Sequence, residues 1–257
     1  MLECKGMKSH ELFAELSSES RLAILKALEK ESLTFTRLTN TINATSPEAA
    51  RQLNRLFKSS LISKDSEGCY SLTSLGRLVV SSIPNLEIIA QKSDFFLHHD
   101  TSAIPPHLLR ELDAFEEAEE VHGVFTVVNR TTQLLEEMHE YAWYLTDDFP
   151  HFFMPLIKKK LNEGVNFRVI SPWKFGEGFL SEDLLSGLPE KLLKAIEIRY
   201  IDELRIIVNI NDRFGMLALP GPDGKIDRDY VLIGYGSRFK DWCKGVFEYY
   251  FKASRRC

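Results

Sequence analysis

The chain has 257 residues, a net charge of −5, 44% hydrophobic and 27% charged residues, a composition typical of globular proteins that excludes wholesale disorder. Its length predicts about two domains. The longest apolar runs, such as residues 206–208, are far shorter than the roughly 20 residues of a membrane helix. Residues 1–5 lack the apolar stretch of a secretory signal. We therefore expect a cytoplasmic protein with no membrane partner.

The four cysteines are too widely separated for a disulfide framework or a CxxC metal site. They are Cys4, Cys69, Cys243 and Cys257. We therefore expect free thiols, with a redox or thiolate-metal sensor as the alternative interpretation. Neither a bound metal nor a cofactor is expected.

Aromatic residues are distributed unevenly, with 22 of the 28 at or beyond His107. The polar segment at residues 100–106 lies between the two parts and ends in two prolines, which cannot continue a helix. We therefore predict a first domain at residues 1–100, including a connecting helix, and a second at residues 101–257.

Apolar residues at helical spacing predict two helices in the first domain, at residues 20–28 and 35–42. A third is predicted at residues 47–59, with Ser46 as its N-cap and Pro47 at its first position. The apolar half of this third helix consists of Ala49, Ala50, Leu53, Leu56 and Phe57.

The other half of the third helix is polar and cationic. Arg51 and Arg55 lie one turn apart, with Gln52 beside them. Arginine forms bidentate hydrogen bonds with guanine or phosphate, and glutamine pairs with adenine in the major groove. The pattern indicates a DNA-reading helix, although a solvated helix face is an alternative interpretation.

Two strand-like runs follow, at residues 61–65 and 69–73, and residues 66–68 join them as a hairpin. A further helix begins at Ser74, so the order of elements is that of a winged helix-turn-helix with the hairpin as wing. Residues 35–64 carry a net charge of +4 within an acidic chain, as expected for DNA contact. The candidate DNA-contacting residues are Ser46, Glu48, Arg51, Gln52, Arg55, Lys58 and Lys64.

Residues 20–25 and 61–77 resemble the ArsR-type archaeal and bacterial winged-helix regulators, and the resemblance covers about residues 9–80. The third helix lacks the cysteine pair of the thiolate-metal sensors of that group, so metal sensing is not implied. The helix after the wing is predicted to kink or divide at Pro84. It is a candidate seam for a homodimer, although packing on its own domain explains the same pattern.

Strands and helices alternate in the second domain, which predicts an α/β sheet covered by helices. The predicted helices are residues 107–120, 131–141, 150–161, 181–195 and 237–252. The predicted strands are residues 124–128, 142–145, 165–170, 196–201, 204–210, 214–219 and 230–234.

Ligands of such sheets bind beyond the carboxyl ends of the strands. The polar or aromatic residues predicted at these ends are Asn129, Arg130, Thr131, Thr132, Ser171 and Trp173. Arg130, followed by two threonines at a helix start, indicates a site for an anionic small molecule. A helix cap formed by Thr131 beside a solvated Arg130 explains the same residues.

The second domain resembles the methanogenesis-regulatory sensor domain, which in archaea is fused to a winged helix, over about residues 104–252. The segments that carry this resemblance are residues 104–109, 201–205 and 242–250. That domain is similar to a degenerate phospholipase-D-like fold, as in the sugar-sensing TrmB-type regulators. Here Glu203 and Arg205 stand where an active half-site carries histidine, lysine and aspartate, which implies sensing rather than hydrolysis.

Together these patterns predict an α+β winged helix-turn-helix N-terminal domain followed by an α/β sensor domain. The expected partners are double-stranded DNA, an unknown small-molecule effector and a second copy of the chain in a homodimer. No enzyme motif such as GxSxG or GxGxxG occurs, so we expect a DNA-binding transcription regulator and not an enzyme. The alternatives are a metal-dependent phosphodiesterase or nuclease in the second domain, or a second domain that recruits a protein partner.

Overall fold

The computed structural model describes residues 6–148, 151–172, 189 and 196–256. The chain divides after Leu86 into two compact units. Residues 87–100, which were predicted to belong to the first domain, lie in the second unit. Within the described residues, no helix has both the length and the apolarity needed to cross a bilayer.

The first unit is mostly helical and carries a small antiparallel sheet of order β1-β3-β2. Its helices are α1 (Ser9–Leu16), α2 (Glu19–Lys30), α3 (Phe35–Thr41), α4 (Ser46–Lys58) and α5 (Ser74–Gln91), the last of which continues past the division. Its strands are β1 (Leu33–Thr34), β2 (Ile62–Lys64) and β3 (Cys69–Leu72). The predicted hairpin is confirmed as β2–β3, whereas β1 was not predicted.

Details of α4 and α5 differ from the prediction. Helix α4 begins one residue early, so Thr45 and not Ser46 is its N-cap. Phe57 is 51% exposed although it was predicted to face inward, because it lies at the edge of the buried face. Pro84 lies inside α5 and does not end it, since apolar packing of the same helix, for example by Ile83, offsets the one hydrogen bond that proline removes.

The second unit is built around an eight-stranded mixed sheet of order β11-β7-β6-β5-β8-β9-β10-β4. The strands are β4 (Ala118–His122), β5 (Tyr141–Leu145), β6 (Asn166–Pro172), β7 (Ile196–Ile201), β8 (Ile207–Asn211), β9 (Gly215–Ala218), β10 (Tyr230–Gly234) and β11 (Arg255–Arg256). Strands β5, β6 and β7 run parallel, and the other described pairs are antiparallel. The predicted helix at residues 181–195 lies outside the described residues.

Helices cover both faces of this sheet. They are α6 (Ser93–His98), α7 (Val124–Glu136), α8 (Met154–Asn162) and α9 (Ser237–Ala253), and the 3-10 turns are Leu108–Arg110, Leu112–Glu117 and His151–Phe153. Successive residues of β8 enter opposite cores, since Val208 packs with Trp242 of α9 and Ile207 packs with Leu134 of α7 and Ile157 of α8. The alternation of a strand therefore places one apolar layer on each side of the sheet.

The segment from 107 to 136 departs most from the prediction. The expected helix at residues 107–120 is replaced by two 3-10 turns and strand β4, and the expected strand at residues 124–128 is the start of α7. Gly123, with φ +92°, is the N-cap of α7. Asp229 holds this turn, because its carbonyl accepts from Gly123 N at 2.8 Å and its Oδ1 accepts from Val124 N at 2.8 Å. This distant contact overrides the strand propensity of the valine-rich run.

Candidate nucleic-acid interface

Helix α4 turns one face into the first unit and the opposite face to solvent. The α3–α4 turn passes through Asn43 in the left-handed region, at φ 47°, a conformation that asparagine tolerates. Pro47 occupies the first turn of α4, where its missing N–H does no harm. Ala49, Leu53 and Leu56 are buried, so the cationic side of the helix faces outward.

Arg51 lies on the outward face of α4, and its side chain is 69% exposed. Its Nη2 lies 2.7 Å from Oε2 of Glu48, one turn earlier. Hydrogen bonds from Arg51 and Gln52 hold the pKa of the Glu48 carboxyl below its ordinary value. A guanidinium has five N–H donors, and this contact uses one nitrogen, so Arg51 keeps donors for a second, solvent-side partner.

Arg55 also reaches the surface, with its side chain 50% exposed. Its Nη2 donates to Glu15 Oε1 at 2.7 Å, and this contact raises the pKa of Arg55. The second oxygen of Glu15 lies 3.1 Å from Nε of Arg21. Glu15 and Arg21 were missed in the sequence because they lie on other helices, 40 and 34 residues before Arg55.

The prediction that Gln52 lies on the exposed face of α4 is wrong. The residue is only 6% exposed, and its Oε1 accepts from Arg21 Nη1 at 2.8 Å. Its Nε2 donates to Glu48 Oε1. Gln52 lies at the edge of the polar face of α4, where the buried guanidinium of Arg21 on α2 is its hydrogen-bond partner. The helical periodicity of α4 alone does not predict this contact.

The β2–β3 hairpin is ordered by its own turn. Asp65 Oδ1 accepts from the backbone N of Glu67 and Cys69 at 2.9 and 2.8 Å, and Gly68 takes φ +88°, a conformation that favours glycine. Lys64 is exposed, and its Nζ lies 5.2 Å from the ring centroid of Tyr70. The turn therefore presents one cation beside α4.

A cavity of about 310 Å³ lies between α4 and the β2–β3 hairpin, and Asn54, Phe57, Lys64 and Tyr70 are among its lining residues. Asn54 is exposed and lies on the same face of α4 as Arg51. It was not among the predicted DNA-contacting residues. Its signal in the sequence is its helical spacing from Arg51.

The residues predicted to follow the first strand of the second domain lie elsewhere. Residues 129–132 are in the interior of α7 and not at a helix start. Thr131 is buried and does not cap the helix. Arg130 pairs with Glu119 at 2.7 Å and lies over the Tyr235 ring, 5.6 Å from its centroid. The expected anion site depended on the free N–H groups of a helix start, and residues 129–132 do not supply them. The ligand-binding role of these residues therefore stays a prediction.

Small polar side chains do gather at the carboxyl ends of β5 and β6. Ser171, in β6, and Thr146, directly after β5, are buried, and Thr146 N donates to Ile170 O at 3.0 Å. Asn209 of β8 has a buried Oδ1 without a hydrogen-bond partner in the described part of the chain. Trp173 lies outside the described residues. Across the described ranges, no three His, Cys, Asp or Glu side chains are grouped to hold a metal ion.

Residues 11–93 match the family model described as the HVO_A0261 N-terminal domain. Over 251 residues the chain is 26% identical to the methanogenesis regulatory protein FilR1 of Methanothrix harundinacea (strain 6Ac), covering 93% of this chain and 56% of that protein. The chain thus spans about half the length of this curated relative.

Two solved structures are loosely similar. TrmBL2, described as an archaeal chromatin protein with a novel mode of DNA binding, has a TM-score of 0.46 and 13% identity over 97% of this chain and 100% of its own. NucT from Helicobacter pylori has a TM-score of 0.43 and 11% identity over 55% of this chain and 100% of its own. Both scores are too low to add to the assignment. The similarity to FilR1 confirms the predicted resemblance to a methanogenesis regulatory protein.

Proposed function

We propose that the chain is a transcription regulator whose first unit is a winged helix-turn-helix that binds double-stranded DNA. Helix α4 enters the major groove, and the β2–β3 hairpin is the wing. The observation that carries this proposal is the row of exposed cations on α4 and the wing, Arg51, Arg55, Lys58 and Lys64, in a chain of net charge −5. The name of the relative FilR1, a regulatory protein, agrees with it.

Each side chain has a role that follows from its chemistry. Arg51 and Arg55 offer paired N–H donors to guanine edges or phosphates, and Asn54 offers an amide to adenine. Lys58 and Lys64 are single cations suited to phosphate oxygens. The interface combines base recognition at the centre of α4 with backbone contacts at its end and on the wing.

The salt dependence of binding tests this assignment. A duplex is first selected from a random library with the full chain, and affinity is then measured by fluorescence anisotropy across a salt series. Lys58→Ala and Lys64→Ala are each expected to reduce the slope of log affinity against log salt by about one per bound chain. The matched control is Lys30→Ala, an exposed lysine in the last turn of α2, which should leave the slope unchanged. Equal effects of all three variants, or no selected duplex, would contradict the proposal.

We propose further that the chain reads two half-sites as a homodimer through an apolar row on α5. Leu75, Leu78 and Leu86 are exposed there, Leu78 to 70%, and exposed apolar rows of this kind favour association. Leu78→Glu is expected to shift sedimentation toward a monomer. Leu97→Glu, at a leucine of α6 that is 80% exposed, is the control that should leave the oligomeric state unchanged. A monomeric unmodified chain would contradict the proposal.

We propose that the second unit binds a small-molecule effector at the carboxyl ends of β5 and β6, and that it acts by binding and not by catalysis. Thr146 and Ser171 are buried at these ends, where open α/β sheets usually bind ligands, and Asn209 contributes an acceptor without a partner among the described residues. Native mass spectrometry of the chain purified from its source should show a retained small mass that Asn209→Leu loses. Metal-dependent phosphodiesterase turnover, abolished by one acidic substitution, would instead favour the enzyme alternative.

A further inference from the structure

A buried arginine joins α2 to both α1 and α4. Arg21 is 5% exposed, and its Nη2 and Nε donate to the carbonyls of Ala14 and Glu15 at 2.7 and 2.8 Å. Its Nη1 donates to Gln52 Oε1 at 2.8 Å. Because three nitrogens are held by three acceptors, this guanidinium is a fixed point against which α4 is oriented.

The chemistry of the partners determines which way the Gln52 amide points. Arginine has only donors, so the carbonyl oxygen of the amide must face Arg21. The NH₂ group then faces Glu48, a carboxylate that only accepts, and it donates to Oε1 at 2.5 Å. The two amide atoms are therefore assigned by their neighbours, and the path from Arg21 through Gln52 to Glu48 runs donor to acceptor at each step.

The path ends on an exposed arginine. The second carboxylate oxygen of Glu48 accepts from Arg51 Nη2 at 2.7 Å. We call Arg21, Gln52, Glu48 and Arg51 the α4 relay. It connects a buried residue of α2 to a side chain on the outer face of α4, and it limits the rotamers that Arg51 samples before any partner arrives.

We infer that Gln52 is a positioning residue for DNA recognition: through Glu48 it orients the Arg51 guanidinium, and it shapes sequence preference without touching DNA. The inference rests on the proposed DNA binding. For Gln52 to reach a base it would have to leave both partners, exposing the buried Nη1 of Arg21 to the cost of an unsatisfied charged donor. An Arg51 side chain that is already oriented loses less conformational entropy on binding. The free energy of binding to the correct base is then more favourable relative to that of a wrong base.

A double-mutant cycle separates positioning from direct contact. The full chain, Gln52→Leu, Arg51→Ala and the double variant are each bound to a library randomised over the selected duplex, and base preference is read at every position. Gln52→Leu is expected to relax preference by about threefold or more at the position that Arg51→Ala relaxes. In the Arg51→Ala background it should have no further effect at that position, because coupled residues are not additive. The inference would be overturned if Gln52→Leu relaxed preference at a different base position. It would also be overturned if the fold losses of preference of Gln52→Leu and Arg51→Ala multiplied in the double variant.

Two further variants keep the test valid if Gln52→Leu disturbs folding. Glu48→Gln leaves the Arg21–Gln52 contact in place but removes the charge that holds Arg51, so it should relax the same base position. Lys64→Ala, outside the α4 relay, is combined with Gln52→Leu in a second double-mutant cycle. In this cycle the fold losses of affinity of the two single variants should multiply in the double variant. Equal loss of affinity for selected and random duplexes in both relay variants would mean a purely structural role and overturn the inference. If the unmodified chain binds no duplex, the proposed DNA binding itself is wrong. This outcome is distinguishable from a failure of the positioning role of Gln52, in which the unmodified chain still binds its selected duplex.

Discussion

Gly76→Ala tests how α5 is packed against the small sheet of the first unit. A Cβ at this position would lie 2.0 Å from the carbonyl oxygen of Leu61 and 3.3 Å from Cδ2 of Leu72. The close atom belongs to the backbone and cannot rotate away. The same carbonyl accepts from the backbone N and the Oγ1 of Thr73, at 3.1 and 3.2 Å. Relief of the clash therefore moves the start of β2 and strains both hydrogen bonds.

The expected magnitude follows from these contacts. In an unobstructed helix, replacing glycine with alanine would stabilise the protein by about 1 kcal/mol. Overpacking at a backbone atom costs roughly 1–3 kcal/mol, and the two hydrogen bonds of the Leu61 carbonyl contribute about 1 kcal/mol each. The free energy of unfolding of the first unit should consequently fall by roughly 2–4 kcal/mol, against the sign of helix propensity.

Hydrogen exchange measures this change where it occurs. Protection of the β2 and β3 amides reports the free energy of opening of the first unit and should fall by the stated amount in the full chain. The control is Gly245→Ala in α9, where the three nearest atoms to the new Cβ belong to the Leu108 side chain, the closest at 3.3 Å. That variant should change protection in the second unit by no more than about 1 kcal/mol. Unchanged or increased protection of β2 and β3 in Gly76→Ala would refute the reasoning.

Three other predictions concern buried or paired groups. Lys160→Met removes the donor that holds the Met138 carbonyl at 2.9 Å within the core, so chemical denaturation should show a loss of about 1–3 kcal/mol; a gain would mean that the carbonyl needs no partner. Burial raises the pKa of the Cys243 thiol well above its ordinary value, so at neutral pH a thiol reagent should modify Cys69 in the native chain and Cys243 only after unfolding. The pKa of Glu48 is lowered from its ordinary value of 4.5, so its pairing stabilises the fold above that pH and is lost as the pH falls through the lowered pKa. An NMR titration midpoint of Glu48 at or above 4.5 would contradict this pairing.

The sequence alone predicted the elements whose buried face follows from the periodicity of their own apolar residues. In α9, Phe239, Trp242, Cys243, Val246 and Phe247 are buried at helical spacing, as expected for the helix predicted at residues 237–252. Helices α2, α3 and α4 and the β2–β3 hairpin were predicted in the same way, because an amphipathic pattern indicates a helix and a glycine between two strand-like runs indicates a hairpin. The outward cations Arg51 and Lys64 followed from the same periods.

What only the tertiary structure decided depends on contacts between distant parts of the chain. Asp229 ends β4 and starts α7 by accepting from Gly123 and Val124, which moved the predicted ligand residues into a helix interior. Arg21 draws Gln52 inward, although its helical position lies at the edge of the outer face. In both cases the hydrogen-bond partner lies far away in the sequence, so a local sequence pattern does not contain it.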